Sequence, residues 1–238
     1  MDNNKALIVA NWKMNKTIAT AKGFVNDFTA LSIKDNQNIV ICPSLALYPY
    51  IKELSVKFGA QDCSCFSATE GAFTGEVSAM MLKNIGFEYV IIGHSERRKN
   101  NNEQSDTIKQ KIANAHANNL LSILCIGENL NQREGGNYLA GLAVQLEECL
   151  PPSANLSNTI IAYEPIWAIG NGKAADLSQI EEVHQFLASK TSSKILYGGS
   201  VSSKNAGEIL AIKNVSGLLI GNASLDAQEF NKIINIRG

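Results

Sequence analysis

The chain has 238 residues, 45% of them apolar and 18% charged, and a net charge of −1. This suits one soluble domain with a sizeable core, one large barrel as readily as two small domains, and the near-zero charge gives no pull toward nucleic acid or anionic membranes. No apolar run approaches the ~18 residues of a membrane span, and the N-terminus leads straight into a strand-like run without the pattern of a signal peptide.

Short apolar runs alternate with longer helix-like stretches along the chain. The spacing predicts a strand over Ala6–Trp12 and a helix over Thr17–Leu31, then a strand over Asn38–Cys42 and a helix over Tyr48–Lys57. Strand Gly59–Gln61 precedes helix Ser78–Ile85, Tyr89–Gly93 precedes Ser105–Asn118, and Leu121–Ile126 precedes Tyr138–Leu150. The series closes with Thr159–Tyr163 and Leu177–Ala188, Lys194–Tyr197 and Lys204–Ala211, and Gly217–Ile220 and Leu225–Ile234. Phe24, Val25, Phe28 and Leu31, or Ile180, Val183 and Leu187, repeat at the helical period. The strand runs are apolar without alternation, which is the pattern of strands buried on both faces of a parallel sheet. Strict alternation without a linker or a break in composition points to an α/β protein, a closed (β/α)8 barrel forming a single domain over residues 1–238. A doubly wound open sheet is the alternative, though a long one.

Five cysteines (Cys42, Cys63, Cys65, Cys125 and Cys149) are an odd number without ligand-like spacing, and no histidine lies near the C-x-C at Cys63 and Cys65. Free thiols in a reducing cytoplasm are the expectation, with no metal.

In a barrel of this kind, catalytic groups sit just after the strand C-termini. Asn11 and Lys13 close the first strand candidate, Gly93-His94-Ser95-Glu96-Arg97-Arg98 follows the fourth, Glu164 the sixth, Gly198-Gly199-Ser200 the seventh, and Gly221-Asn222-Ala223-Ser224 the eighth. Glu164 stands between a strand end and the apolar loop tip Ile166 to Ile169, with Pro165 stopping the strand. A carboxylate shut away from water becomes a stronger base, because burial disfavours its charged form; the plain alternative is a solvated turn. His94 opens a helix candidate, where free N–H groups and a partial positive charge favour the neutral ring, which still donates one hydrogen bond. Lys13, framed by Trp12 and Met14, either snorkels to solvent or faces an anion. The glycine-rich turns after the last two strands suggest that anion is a phosphate on backbone N–H groups. His116 and His184 lie inside helix candidates without such context, and Cys125 at a strand end reads as packing.

With these clusters in order, the chain resembles triosephosphate isomerase over essentially its full length. The matching motifs are Asn11-Trp12-Lys13-Met14-Asn15, Gly71-Ala72-Phe73-Thr74-Gly75-Glu76, Gly93-His94-Ser95-Glu96-Arg97-Arg98, Cys125-Ile126-Gly127-Glu128, Ala162 through Gly170, Tyr197-Gly198-Gly199-Ser200-Val201, and Ile220 through Leu225. The family is itself a standard example of a carboxylate base, a neutral imidazole and a closing loop acting together. The resemblance implies a TIM barrel that interconverts dihydroxyacetone phosphate and D-glyceraldehyde 3-phosphate in the cytoplasm, within glycolysis and gluconeogenesis. Glu164 would move a proton between C1 and C2, and His94 would polarise the carbonyl. Asn11 and Lys13 would bind substrate and stabilise enediolate charge. Phosphate would sit on the N–H groups of Gly170, Ser200, Gly221 and Asn222. Pro165, Ile166, Trp167, Ala168, Ile169, Gly172 and Lys173 would belong to a closing lid, latched by Tyr197 and Ser200, with Ser95 holding Glu164 while the lid is open. The resemblance also implies a homodimer through the loop of Phe73 and Thr74, with Thr74 beside the other subunit's Asn11 and Lys13. It implies no cofactor, no metal, no nucleic acid and no membrane.

Three departures stand out. Asn222 replaces a usual second glycine, which matters if the position needs φ > 0. Asn171 replaces a common Thr in the lid hinge. The stretch from Phe186 to Ile195 is short, so the helix before the seventh strand is expected to be truncated. Among other readings, a Schiff-base aldolase lacks a Lys in the interior of any strand candidate, a metal-dependent epimerase lacks ligands beyond His94 and Glu164, and a barrel that has lost catalysis would have lost Glu164, His94 or Lys13.

Overall fold

The strands β1 (Leu7–Asn11), β2 (Ile39–Cys42), β3 (Lys57–Ala60), β4 (Tyr89–Ile92), β5 (Leu121–Ile126), β6 (Thr159–Tyr163), β7 (Lys194–Tyr197) and β8 (Gly217–Ile220) pair in chain order, and β8 pairs back onto β1 to close a parallel barrel. The structure is a computed structural model that describes residues 5–31, 38–168 and 175–236. The helices between and after the strands are α1 (Ile18–Thr29), α2 (Ala79–Asn84), α3 (Ser95–Asn100), α4 (Ser105–Ala117), α5 (Leu130–Glu134), α6 (Tyr138–Cys149), α7 (Leu177–Lys190), α8 (Ala206–Leu210) and α9 (Ala227–Ile234).

The continuous apolar runs have a direct cause. Leu7 and Val9 of β1 point into the barrel with Val40, Tyr89, Ile91, Ile123, Ile160, Ala162, Leu196 and Leu219. Ile8 and Ala10, between them, point outward to the helices and join Phe24, Phe28 and Phe230. Both faces of each strand are therefore covered, and a polar residue on either would lose its water. Interior space is tight at β3, where a Cβ on Gly59 would stand 2.7 Å from Cys42 Sγ and 3.1 Å from Tyr89 Cβ.

Helix starts follow their capping chemistry. Thr17 with Thr20, Asn129 with Gln132 and Asp176 with Gln179 each form a reciprocal box that satisfies free N–H groups at the head of α1, α5 and α7. Ser78 and Asp226 cap α2 and α9 in the simpler way.

Three expectations are corrected. No α-helix spans Tyr48–Lys57: a 3-10 turn covers Leu45–Tyr50 with Pro49 inside it, and Lys57 already belongs to β3. Proline removes an N–H and its ring obstructs the preceding turn, so a regular helix does not form around it. Gln61 lies beyond β3, and its amide donates to the carbonyls of Lys13 and Cys42 at 2.8 and 3.0 Å. The helix before β7 is not truncated, since α7 runs 14 residues to Lys190 and only Thr191–Ser193 separate it from β7. The connection is what is short. The helix α5 was not foreseen; five residues carry too little periodicity to announce themselves.

Candidate active site

A cleft of about 330 Å³ opens at the C-terminal mouth of the barrel. Its walls come from Asn11 at the end of β1 and Lys13 just beyond it, His94 after β4 and Glu164 after β6, and from the turns Gly198–Val201 after β7 and Gly221–Ala223 after β8.

Asn11 ends β1 in a buried position, and its Oδ1 accepts the Lys13 N–H at 3.0 Å. That turn sets Lys13 at φ +52°, a left-handed conformation costly for a residue with a Cβ. Gln61, bonded to the Lys13 carbonyl, helps hold it. The Lys13 ammonium lies 2.5 Å from Glu96 Oε1, so an incoming anion competes with Glu96 for this cation.

His94 caps the six-residue helix α3 with its own ring, as Nδ1 accepts the Glu96 N–H at 3.2 Å. Nδ1 is thus an acceptor, and the ring hydrogen sits on Nε2, which is 2.9 Å from Glu164 Oε1. The other carboxylate oxygen, Oε2, accepts the Ser95 backbone N–H at 2.9 Å. Glu164 is only 2% exposed and is docked on both oxygens. Its backbone is fixed as well: its N–H donates to the Ile126 carbonyl at 2.8 Å, and a Cβ on Gly127 would fall on its carbonyl oxygen.

This docking corrects two expectations about charge. Burial pushes the Glu164 carboxyl up, but His94, the Ser95 N–H and Lys13 together hold it below its ordinary value. For His94, burial disfavours the imidazolium, yet the Glu164 carboxylate outweighs it and the net direction is upward. A stronger base and a neutral ring therefore belong to a state in which the carboxylate has left His94 and Ser95. In the docked state the two residues share one proton.

The glycines after β7 are needed for space. A Cβ on Gly199 would strike the Tyr197 hydroxyl, and one on Gly198 would lie 3.1 Å from Glu164 Cγ. Ser200 Oγ donates to the Ala168 carbonyl at 2.8 Å. Asn222 begins a 3-10 turn over Asn222–Ser224. It is absent from the non-glycine residues with positive φ among the described residues (Lys13, Lys16, Asn102, Asn119 and Asn214), so the strain weighed for this position does not arise.

Of the residues expected to form a lid, Pro165 is buried, and Ile166, Trp167 and Ala168 form a 3-10 turn. Ile169, Gly170, Asn171, Gly172 and Lys173 lie outside the described residues. The Trp167 indole N–H donates to Glu128 Oε1 at 2.8 Å, and the Tyr163 hydroxyl donates to the same atom at 2.9 Å. Burial pushes the Tyr197 hydroxyl upward, and that hydroxyl is buried without a hydrogen-bond partner among the described residues. Phe73 and Thr74 are exposed and do not line the cleft; Phe73 stacks on Phe66 at 4.5 Å.

Sequence reasoning gave no role to Glu96, Glu128 or Gln61. Glu96 and Glu128 stand in the quoted motifs, but only the folded chain brings each to its partner. Cys125 packs in the barrel interior, where burial raises its thiol. His184 is buried against Tyr163 and Tyr197.

A closed parallel barrel with a buried carboxylate, an imidazole and an ammonium converging on one small cleft defines a (β/α)8-barrel enzyme equipped for proton transfer on a small anionic substrate. Residues 6–237 match the family model of triosephosphate isomerase. Among relatives, the triosephosphate isomerase of Finegoldia magna is 41% identical, covering 97% of this chain and 98% of the relative. That of Vibrio sp. strain ANT-300 is 39% identical with the same coverage. The crystal structure of triosephosphate isomerase from Bartonella henselae superposes with a TM-score of 0.83 at 33% identity over 98% of both chains. The chain belongs to the triosephosphate isomerase family, the isomerases that interconvert dihydroxyacetone phosphate and D-glyceraldehyde 3-phosphate.

Proposed function

We propose that Glu164 is the base of this isomerisation and His94 its electrophile. Substrate entry draws the carboxylate off His94 and Ser95, and Glu164 takes a proton from C1 of dihydroxyacetone phosphate. The Nε2–H of His94 polarises the C2 carbonyl and supplies the proton its oxygen needs in the enediol. His94 then recovers a proton from the C1 hydroxyl, and Glu164 returns its own to C2, giving the aldehyde. Lys13 and the Asn11 amide stabilise the charge on the intermediate. No cofactor or metal is required, because the substrate's own carbonyl acidifies the reacting C–H.

The phosphate rests on the N–H groups of Ser200, Gly221 and Asn222, completed by Gly170 of the lid. Residues 165–173 close over it and exclude water, which suppresses loss of phosphate from the enediolate. Ser200 and Tyr197 latch the lid; Ser200 already donates to the Ala168 carbonyl, and the buried Tyr197 hydroxyl, without a partner among the described residues, is free to take one when the lid closes.

Residues 1–238 form one domain, and the enzyme works as a cytoplasmic homodimer. Supporting the dimer, Met14 is 96% exposed next to Lys13, and Phe66 and Phe73 form an exposed aromatic pair. Supporting a reducing compartment, all five cysteines are free thiols.

The observation that carries the mechanism is the buried Glu164 carboxylate held between His94 Nε2 and the Ser95 N–H. A coupled assay of isomerisation tests it. Glu164→Gln should lose ~10²–10⁴ in kcat, the usual worth of a general base. A kcat unchanged in that variant refutes the assignment.

A further inference from the structure

Two lysines follow β1, and both carry a left-handed backbone, Lys13 at φ +52° and Lys16 at φ +73°. Lys13 lines the cleft and Lys16 does not. The Lys16 ammonium instead donates to the Leu225 carbonyl at 2.8 Å, at the far end of the 3-10 turn Asn222–Ser224. It stands 5.0 Å from the centre of the Trp12 ring and 4.9 Å from that of Phe24. Those two rings meet edge to face at 4.9 Å, so one aromatic corner seats the cation. Trp12 is fully buried, and its indole N–H donates to the neighbouring carbonyl, that of Ser224, at 3.2 Å.

The turn after β8 is therefore gripped at both ends by the segment after β1. At the cleft end, a Cβ on Gly221 would stand 3.4 Å from Lys13 Cε. At the far end, Trp12 and Lys16 hold two successive carbonyls. The turn's own bonds run from the Ser224 and Leu225 N–H groups to the carbonyls of Gly221 and Asn222, at 2.9 and 3.0 Å. They do not use the N–H groups of Gly221 and Asn222, two residues that line the cleft.

Lys16 is an uneconomical way to fill its position. Glycine or asparagine would take the same φ with less strain. An ordinary surface lysine would keep its ammonium in water, whereas burial here lowers the ammonium from its usual value, with the charges of Asp226 and Asp27 opposing. Strain and desolvation are both borne by a side chain whose hydrogen bond ends on the Leu225 carbonyl. That bond fixes the tilt of the turn, and with it the direction in which the first N–H groups point.

We propose that Lys16, seated on Trp12 and Phe24, is a positioning residue for the substrate's phosphate, holding the turn after β8 so that the N–H groups of Gly221 and Asn222 converge in the cleft. The proposal rests on the reading of this turn as part of the phosphate site. Lys16 touches neither phosphate nor the reacting carbons. It acts through the Leu225 carbonyl, so its loss should weaken what depends on phosphate and spare what does not.

The test uses full-length protein and three ligands: inorganic phosphate, D-glyceraldehyde 3-phosphate, and D-glyceraldehyde, which carries no phosphate. In the native protein the amide resonances of Gly221 and Asn222 should move when inorganic phosphate is added. Lys16→Met keeps the aliphatic stem on the rings but loses the donor. It should raise the phosphate inhibition constant and the KM for D-glyceraldehyde 3-phosphate several-fold, while kcat/KM for D-glyceraldehyde stays native. Lys16→Arg restores a donor and should recover much of the phosphate affinity. Lys16→Gly suits the left-handed backbone and should reproduce the direction of Lys16→Met if that variant fails to fold. A native phosphate inhibition constant in folded Lys16→Met or Lys16→Gly overturns the proposal and leaves the phosphate site where it is. Equal losses with D-glyceraldehyde and its phosphate ester also overturn it, since a merely structural defect would lower both. Gly221 and Asn222 resonances indifferent to phosphate in the native protein overturn the phosphate reading and the proposal with it.

Discussion

The Nε2–H of His94 donates to Oε1 of Glu164 at 2.9 Å, and through this contact each residue governs the charge of the other. The docked carboxylate raises the imidazole, and the imidazole depresses the carboxylate. Moving Glu164 onto a substrate therefore changes both groups in the useful direction. The carboxylate becomes a better base, and the ring loses the partner that favoured its cation.

Glu164→Gln should accordingly lower the pKa of His94 relative to the native, ligand-free protein. The neutral amide supplies no charge to stabilise the imidazolium, while burial and the Glu96 N–H on Nδ1 continue to oppose it. Nitrogen NMR of labelled imidazole across the acid-to-neutral range reads the shift. A pKa unchanged or higher in Glu164→Gln would show that Glu164 is not what holds it up.

Asn222 should tolerate glycine but not proline. Its side chain is exposed and its φ unstrained, so Asn222→Gly should leave kcat within a few-fold. Proline fits the first position of a helical turn but lacks the N–H. Asn222→Pro should weaken inorganic phosphate by the ~1.5–3 kcal/mol of a hydrogen bond to a charged group. Phosphate inhibition constants for the two variants decide it. A harmful glycine with a harmless proline would make the amide side chain the ligand.

Acid sensitivity should trace to His184. Burial pushes this imidazole down to about 4, with the Asn214 carbonyl opposing. In the unfolded chain a histidine takes up its proton near pH 6.5. Between those values the unfolded state binds more protons, so stability falls as pH falls through the window and is intact above it. The total amounts to roughly 3 kcal/mol. Urea unfolding at pH 7 and pH 5 measures the slope, and His184→Gln should flatten it. A native slope retained in that variant would place the acid sensitivity elsewhere.

The loop of Phe73 and Thr74 should hold the dimer. Deleting both residues should give a soluble, nearly inactive monomer, with Lys13 and Asn11 deprived of a neighbour. Sedimentation at nanomolar concentration, with activity measured on the same sample, checks this. An active native monomer would contradict it.

The barrel was legible in the sequence because its strands are covered on both faces. Leu7 through Ala10 read as one apolar run whose members alternate between barrel interior and helix layer. Asn11, Lys13, His94 and Glu164 were legible because polar residues just past such runs must gather at one rim. The Tyr48–Lys57 helix was misread because apolar spacing outvoted Pro49. The direction of the Glu164 shift was misread because burial can be anticipated locally, whereas docking on residues 69 and 70 positions away cannot.

The most direct test of Glu164 as the proton carrier is solvent exchange. Dihydroxyacetone phosphate is incubated in heavy water with native enzyme or with Glu164→Gln, and deuterium at the reacting carbon is followed by proton NMR. Native enzyme should place solvent deuterium in the substrate and product it releases. Glu164→Gln, with no carboxylate to accept the proton, should do so at least ~10²-fold more slowly. Incorporation at the native rate by folded Glu164→Gln would mean that another group moves the proton.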